Sequence, residues 1–224
     1  METVREVKTY EVHLRGISPL LMNPMTLKQL MEIHNKTTKP KARDVELEDV
    51  AKEKIYTDEE GNIGIPMQNL FSVIVEAGRN VAFKPKKNIS TKDSTLVPVF
   101  MTFHDEFFPF THYASKNKQG EMVKGTWAPD LRRGVNPGDQ TKKVPVAVIR
   151  PKFHEWEFKC IIDVDHKEGV SAETVKELFT WGGKAVGLCD FRPTCRGPFG
   201  RFELVEFKEI SNGNGNGHSG NGKK

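Results

Sequence analysis

Between Gly187 and Phe207 the chain reads GLCDFRPTCRGPFGRFELVEF. Arg192, Arg196 and Arg201 stand there among Gly197, Gly200 and two prolines, immediately before an alternating stretch. Guanidinium groups hold phosphate oxygens through paired N–H donors, and glycine lets a backbone come close to such a ligand. The chemistry suited to this combination is phosphate binding, which fixes the register of a strand without reading its sequence. The same residues also fit a plain connection into a strand, with the arginines solvated or paired to Asp190 and Glu203.

Two other basic stretches could share that chemistry. From Phe107 to His154 nine lysines and arginines face only Glu121, Asp130 and Asp139, in a stretch rich in glycine and proline. Arg132 and Arg133 before Gly134, and the pair Lys142 and Lys143, are its preferred contacts, with Trp127 either a stacking platform or a local core anchor. From Arg79 to Lys92, a run that includes Lys84, Lys86 and Lys87, no acid occurs before Asp93. Both runs also fit solvated loops, the second wrapped around Phe83.

The whole chain bounds what these groups can belong to. It has 224 residues, 37% of them hydrophobic and 29% charged, with a net charge of +4. That is enough apolar material for one sizeable core, expected over residues 1–210 with an insertion at about 107–154. The tail SNGNGNGHSGNGKK, residues 211–224, is of low complexity and is expected to be disordered. So mild a charge excess does not establish nucleic-acid binding, and its distribution must decide. Three cysteines without a C-x-x-C pair argue against zinc or a disulfide framework and for a reducing compartment, the cytoplasm. Met1 leads into ETVREVKTYEV, which lacks the apolar core of a secretory signal, and no run approaches the roughly eighteen apolar residues of a membrane helix. Seven histidines and thirty acids make accidental pairs, but no metal-ligand spacing, serine elbow or phosphate loop occurs. The chain is expected to be a non-enzyme without cofactor or metal.

Period-two alternation over Val7–Gly16 predicts a strand with Tyr10, Val12 and Leu14 on one face and Thr9, Glu11, His13 and Arg15 on the other. Leu20–Asn35 reads as a helix capped by Thr26, and Asp44–Ile55 as another whose charges suit the helix dipole. After a short extended piece at Ile63–Ile65, Pro66 opens an amphipathic helix that closes near Gly78. Leu96–Phe103 is expected to be a second main strand, and Lys143–Arg150 one arm of a hairpin. Glu155–Asp165 sends Trp156, Phe158, Cys160, Ile162 and Val164 to one side, leaving no aromatic ladder on the other for direct base stacking. Ser171 caps a helix with a double-glycine stop, and a last strand runs from Arg201 to about Lys208. The order is strand, helix, strand, strand, helix, strand, which is the split βαβ order of ferredoxin-like and RNA-recognition folds, class α+β.

Three segments carry a resemblance: LRGISPLLM at Leu14–Met22, EGNIGIPMQNLFSVIVEAGR at Glu60–Arg79, and the GPFGRF core within Gly187–Arg201. With them the chain resembles the repeat-associated mysterious protein superfamily of CRISPR–Cas systems, and especially the backbone subunits that line guide RNA in type I and type III effector complexes. Met67-Gln68 stands where that family usually has Gly-Ser, and the Lys-Gly pair frequent before Arg79 is absent, which marks a divergent relative of the kind a phage or mobile element carries. The resemblance implies that Arg79 faces the bound strand and that the basic insertion is a thumb-like hairpin gripping nucleic acid or the next subunit. It also offers His34 as a general base, by analogy with processing relatives, and Asp44 as a cleaving aspartate.

The leading expectation is a protein that polymerises along single-stranded nucleic acid, RNA before DNA, with itself and other effector subunits as partners. Its phosphate contacts would be Arg79, Lys86, Lys87, Arg132, Arg133, Lys142, Lys143, Arg192, Arg196 and Arg201, with Gly197 and Gly200 admitting the backbone. Two competitors stand beside it. One is a self-assembling phage or mobile-element structural protein whose basic loop docks on the acidic Asp44–Glu60 segment. The other is a metal-independent endoribonuclease using His34.

Overall fold

The alternating strand β1 (Val7–Gly16) lies inside a sheet, with a partner strand on each side. In the computed structural model, which describes residues 6–25, 27–35, 46–135 and 145–210, it pairs antiparallel with β11 (Glu155–Asp165) and β12 (Phe202–Ile210). The intervening strands in chain order are β2 (Leu20–Leu21), β3 (Gly64–Pro66), β4 (Ala82–Lys84), β5 (Lys87–Asn88), β6 (Met101–Phe103), β7 (Phe107–Lys116), β8 (Met122–Lys124), β9 (Ala128–Val135) and β10 (Pro145–Phe153). The helices are α1 (Leu27–His34), α2 (Leu47–Lys52), α3 (Met67–Ala77), α4 (Val97–Phe100) and α5 (Ala172–Trp181).

The main sheet runs β12-β1-β11-β7-β3, with β6 also on β11 and β8 on β7. A second sheet, β2-β10-β9, carries the basic insertion, and β4-β5 forms a small hairpin. The architecture is mixed α/β, dominated by antiparallel sheets with few helices. One face of the main sheet is the core. Tyr10, Val12 and Leu14 from β1 and Trp156, Phe158, Cys160, Ile162 and Val164 from β11 are all buried there. Leu70, Val73, Ile74 and Ala77 of α3 and Val175, Leu178 and Phe179 of α5 are buried with them, each set at helical spacing. The opposite face is laced by Lys159–Glu11, His13–Glu157 and His104–Asp163 pairs at 2.9, 3.2 and 3.0 Å. Thr9 lies on that polar face yet is buried, because its hydroxyl donates to Asp163 Oδ1 at 2.6 Å.

Several boundaries differ from the sequence expectations, each for a local reason. Leu20 and Leu21 are a strand on β10 and not the start of a helix; α1 begins at Leu27, and Thr26 lies outside the described residues. Val97–Phe100 is a helical turn, since Pro98 lacks an N–H and suits a first turn, so only Met101–Phe103 pairs as strand. Phe107–Lys116 is a full strand of the main sheet between β11 and β3, which moves the start of the insertion past Lys116. The double glycine after α5 does not stop the chain's coiling. Gly182–Val186 continues as a π-helical turn packed so closely on β12 that a side chain at Gly183 would lie 2.1 Å from the Phe202 carbonyl oxygen, an approach only glycine allows.

Candidate nucleic-acid interface

The three segments that carried the resemblance lie far apart in sequence and meet at the loop 187–201. Ser18 and Pro19 hold its end: the Arg201 amide donates to Ser18 Oγ at 2.9 Å, and the Gly200 amide to the Pro19 carbonyl at 2.8 Å. The Asp190 amide donates to the Leu21 carbonyl at 2.9 Å, which ties the start of the loop to β2. From α3, Asn69 Nδ2 reaches Cys189 Sγ at 3.8 Å. Desolvation pushes the Cys189 thiol up to about 12, away from the range of activated cysteines.

Gly197 and Gly200 have a reason that composition did not reveal. A Cβ at Gly197 would sit 1.7 Å from the Phe191 carbonyl oxygen, and Gly200 has φ +70 with the Leu188 carbonyl oxygen 2.0 Å from a built Cβ. Their amides are engaged as well, Gly197 donating to the Arg192 carbonyl at 3.0 Å and Gly200 to Pro19. Neither amide is therefore offered to a phosphate, and both glycines serve the loop's own packing. Gly197→Ala is expected to cost on the order of 3 kcal/mol in urea unfolding. At Gly120, whose φ is +87 in open space, the same change should cost only about 1–2 kcal/mol of left-handed strain. Equal losses at the two sites would contradict this account.

The acids next to the loop arginines have other partners. Glu203 Oε1 takes Arg15, at 3.0 Å from Nε and 2.6 Å from Nη2. Asp190 lies 2.6 Å from Arg150 Nε, a charge contact in which the N–H is not aimed at the oxygen. Arg192 is turned inward, donating to the Cys189 carbonyl at 2.7 Å and to Thr194 Oγ1 at 3.1 Å. Arg196, at φ +61, and Arg201 are exposed and have no side-chain partner among the described residues.

The insertion reaches the same place. The Arg132 guanidinium lies over the Phe199 ring at 4.7 Å, and Lys152 Nζ sits 5.9 Å from that ring's centroid. Asp130 holds Arg132 from the side with bonds of 2.6 and 3.1 Å and raises it above the ordinary arginine value. Arg133 is exposed and unpaired among the described residues. Lys142 and Lys143 lie outside the described residues. Sequence reading missed Phe199, Arg150 and Lys152 as members of this surface; the alternation of β10 was a signal for the last two, but nothing in the chain announced the ring beneath Arg132.

The other candidates are not brought to this joint. Arg79 is bonded to Glu76 at 2.9 Å and to the Thr91 carbonyl at 3.3 Å, and with the exposed Lys86 and Lys87 it lines a separate shallow basin beside β4 and β5. Trp127 packs partly against the core and shares a cleft with Glu46, Glu48, Asp49 and Lys52 of the α2 region, where three acids outnumber one lysine. His34 is the exposed last residue of α1 with no partner among the described residues, and Asp44 lies outside them. No cluster of three or more metal-ligating side chains occurs among the described residues. Among them, no helix is long and apolar enough to cross a membrane.

One titratable group sits where β7 meets β10. His154 Nδ1 accepts from the Lys116 amide at 3.3 Å and lies 2.8 Å from the hydroxyl of buried Ser115, so its proton is on Nε2. Burial, then the charges of Lys152 and Lys116, hold this imidazole below its ordinary value. The unfolded chain therefore binds the proton first on acidification, and stability is lost as pH falls from about 6.5 toward the folded value. His154→Gln is expected to flatten the pH dependence of the urea midpoint between about pH 7 and 5, and an unchanged slope would refute the assignment.

No family model matches the chain, and no curated protein matches its sequence. Among solved structures, a chain in the cryo-EM structure of the Type III-B Cmr-beta bound to cognate target RNA is similar, with a TM-score of 0.48 and 11% identity. The match covers 91% of this chain and 61% of that one, so this chain spans about three fifths of its length. A likeness of that size says nothing of what this chain binds.

Proposed function

We propose that this protein binds single-stranded nucleic acid, RNA in preference to DNA, as a repeating subunit of a larger assembly, and that it is not an enzyme. The observation that carries the reading is the joint between the loop and the insertion. Arg132 and Lys152 lie over Phe199 while Arg196 and Arg201 are left without acidic partners among the described residues, although Asp190 and Glu203 stand close in sequence. Unpaired, exposed guanidinium groups on a rigid loop make a low-cost site for phosphates, since no ion pair must be broken to use them. The strand order β12-β1-β11-β7, with α3 before β7 and α5 between β11 and β12, supports a ferredoxin-like domain of the repeat-associated mysterious protein kind. The charge-laced outer face of the sheet supports grip by loops and not by base stacking on strands.

Fluorescence anisotropy with labelled single-stranded RNA and DNA across a salt series tests this. Binding should weaken linearly in log affinity against log salt, with a slope of about −0.7 for each phosphate held. Light scattering of the same samples should show assemblies that grow with strand length. The RNA should be recovered intact. A defined cleavage product lost in His34→Ala would move the reading to a nuclease. Assemblies that form without nucleic acid, and no binding at low salt, would move it to a self-assembling structural protein.

A further inference from the structure

The outer face of the main sheet settles its charges in pairs, but two groups of opposite sign elsewhere are left uncompensated. The positive group is the basin of about 580 Å³ beside β4 and β5. Arg79, Lys86, Lys87 and Lys92 line it, no carboxylate does, and Asp93 lies outside it. Arg79 is bonded to Glu76, while the three lysines are exposed and have no partner among the described residues. Backbone bonds fix the hairpin that carries Lys86 and Lys87 to the end of α3. The Ser90 amide donates to the Gly78 carbonyl at 2.9 Å, and the Ile89 amide to the Val81 carbonyl at 3.0 Å.

The negative group is the cleft of about 470 Å³ shared by α2 and Trp127. Glu46, Glu48 and Asp49 line it against Lys52 alone, and all three acids are exposed without an ion pair among the described residues. Clustered like charges repel within the folded protein, and a surface of opposite sign relieves that cost.

The two groups lie toward opposite ends of α3, which has 11 residues and so is about 16 Å long. The basin begins at Arg79, just beyond the last residue of α3, Ala77. The acidic cleft belongs with the first turn. There α2 is tied to β10 by Lys54 Nζ on the Ile149 carbonyl at 2.8 Å, and the loop that β9 meets through Arg132 touches Asn69 of that turn. A single molecule cannot bring one group onto the other, since each is fixed to the body. A second copy displaced along α3 can.

We propose that the basin receives the acidic α2 segment of a second copy, and that repetition of this head-to-tail contact spaces the subunits along the bound strand. The inference rests on the strand-binding reading and adds to it the surface by which neighbours touch. A contact between exposed charges is weak and screened by salt in free solution. Between neighbours on one strand it becomes effectively intramolecular, so a weak contact takes hold there.

Lys86→Glu/Lys87→Glu/Lys92→Glu and Glu48→Lys/Asp49→Lys test the junction by exchange of charge. Every side chain exchanged is exposed, and the urea midpoint of each variant checks its folding. Binding is followed by anisotropy on two labelled single-stranded RNAs, one just long enough for one protomer and one several times longer. Wild type is expected to bind the long RNA roughly tenfold or more tighter per protomer than the short one. Each variant alone should lose that preference, because both sides of the junction then carry the same sign. An equimolar mixture of the two should regain it, since the lysine-bearing α2 of one enters the glutamate-bearing basin of the other, and the native basin takes the native α2. If either variant keeps the wild-type preference, or the mixture does no better than its components, the junction is refuted while strand binding stands. If the basin variant loses affinity and salt slope on the short RNA while the α2 variant keeps the preference, the basin holds RNA and not a second copy. A wild type that binds both RNAs alike per protomer refutes the junction too. If wild type binds neither RNA, the junction and the strand-binding reading fail together.

Discussion

Arg196→Ala/Arg201→Ala is expected to weaken binding of single-stranded RNA by roughly tenfold or more at moderate salt, and to reduce the salt slope by about 1.4, or about 0.7 for each contact removed. The size follows from the side chains' present state. Neither is paired among the described residues, so neither loses an ion pair on binding, and removing them leaves no acid stranded. Fold stability should change by less than about 0.5 kcal/mol, as for other surface changes away from caps and cores. The loop backbone, held by Gly197, Gly200 and Ser18, does not depend on either side chain. Arg15→Ala is the contrasting control. It breaks a pair with Glu203 exposed at 55% and 46%, which is worth little, and it should leave the salt slope unchanged. An identical slope in the double variant and wild type would place the phosphates elsewhere.

Trp156→Ala is expected to produce the largest loss of stability, about 3–5 kcal/mol in urea unfolding. The indole is almost wholly buried and lies against Phe158, Phe110 and Phe202 at centroid distances of 6.3, 6.3 and 6.4 Å. It also excludes any side chain at Gly16, where a Cβ would fall 2.3 Å from its ring. Its Nε1 donates to the Ser18 carbonyl at 2.9 Å, and Ser18 in turn holds the Arg201 amide. Trp156→Phe keeps most of the apolar contact but leaves that carbonyl without its donor, a loss of roughly 1–3 kcal/mol. RNA affinity should fall in Trp156→Phe although every cation is kept, because the residue that positions the loop end has lost its anchor. Unchanged affinity in a folded Trp156→Phe protein would show that Ser18 does not need the indole to place Arg201.

The elements that sequence reading found were those whose neighbours are near in the chain or whose pattern is periodic. The alternations of β1 and β11 and the helical spacing of α3 and α5 each encode a buried face directly. Ser171 also caps α5 as expected, its hydroxyl accepting from the Thr174 amide at 3.1 Å. What escaped was decided between distant segments. β7 was hidden inside a stretch whose composition resembles a loop, because a bulge opposite Glu157 and Phe158 puts its core-facing Phe108 and Phe110 out of period-two step with Tyr113. The helical turn at Val97 was masked by β-branched residues on either side of Pro98.

The site divides in the same way. Arg196 and Arg201 could be named from their types and their glycine-rich setting, since exposed guanidinium groups bring their chemistry with them wherever the loop goes. Whether they were already neutralised could not be read from the chain. Asp190 and Glu203 are their neighbours in sequence, yet tertiary packing gives those acids to Arg150 and Arg15. Placing Arg132 over Phe199, and withdrawing the Gly197 and Gly200 amides from service, depended likewise on contacts between segments. The sequence by itself determined the periodic strands and helices and the kind of charge the loop carries, because those depend on local pattern and side-chain identity. Only the tertiary structure decided which charges remain free and what surface they share, because pairing falls off over a few ångströms and is set by which segments are brought together.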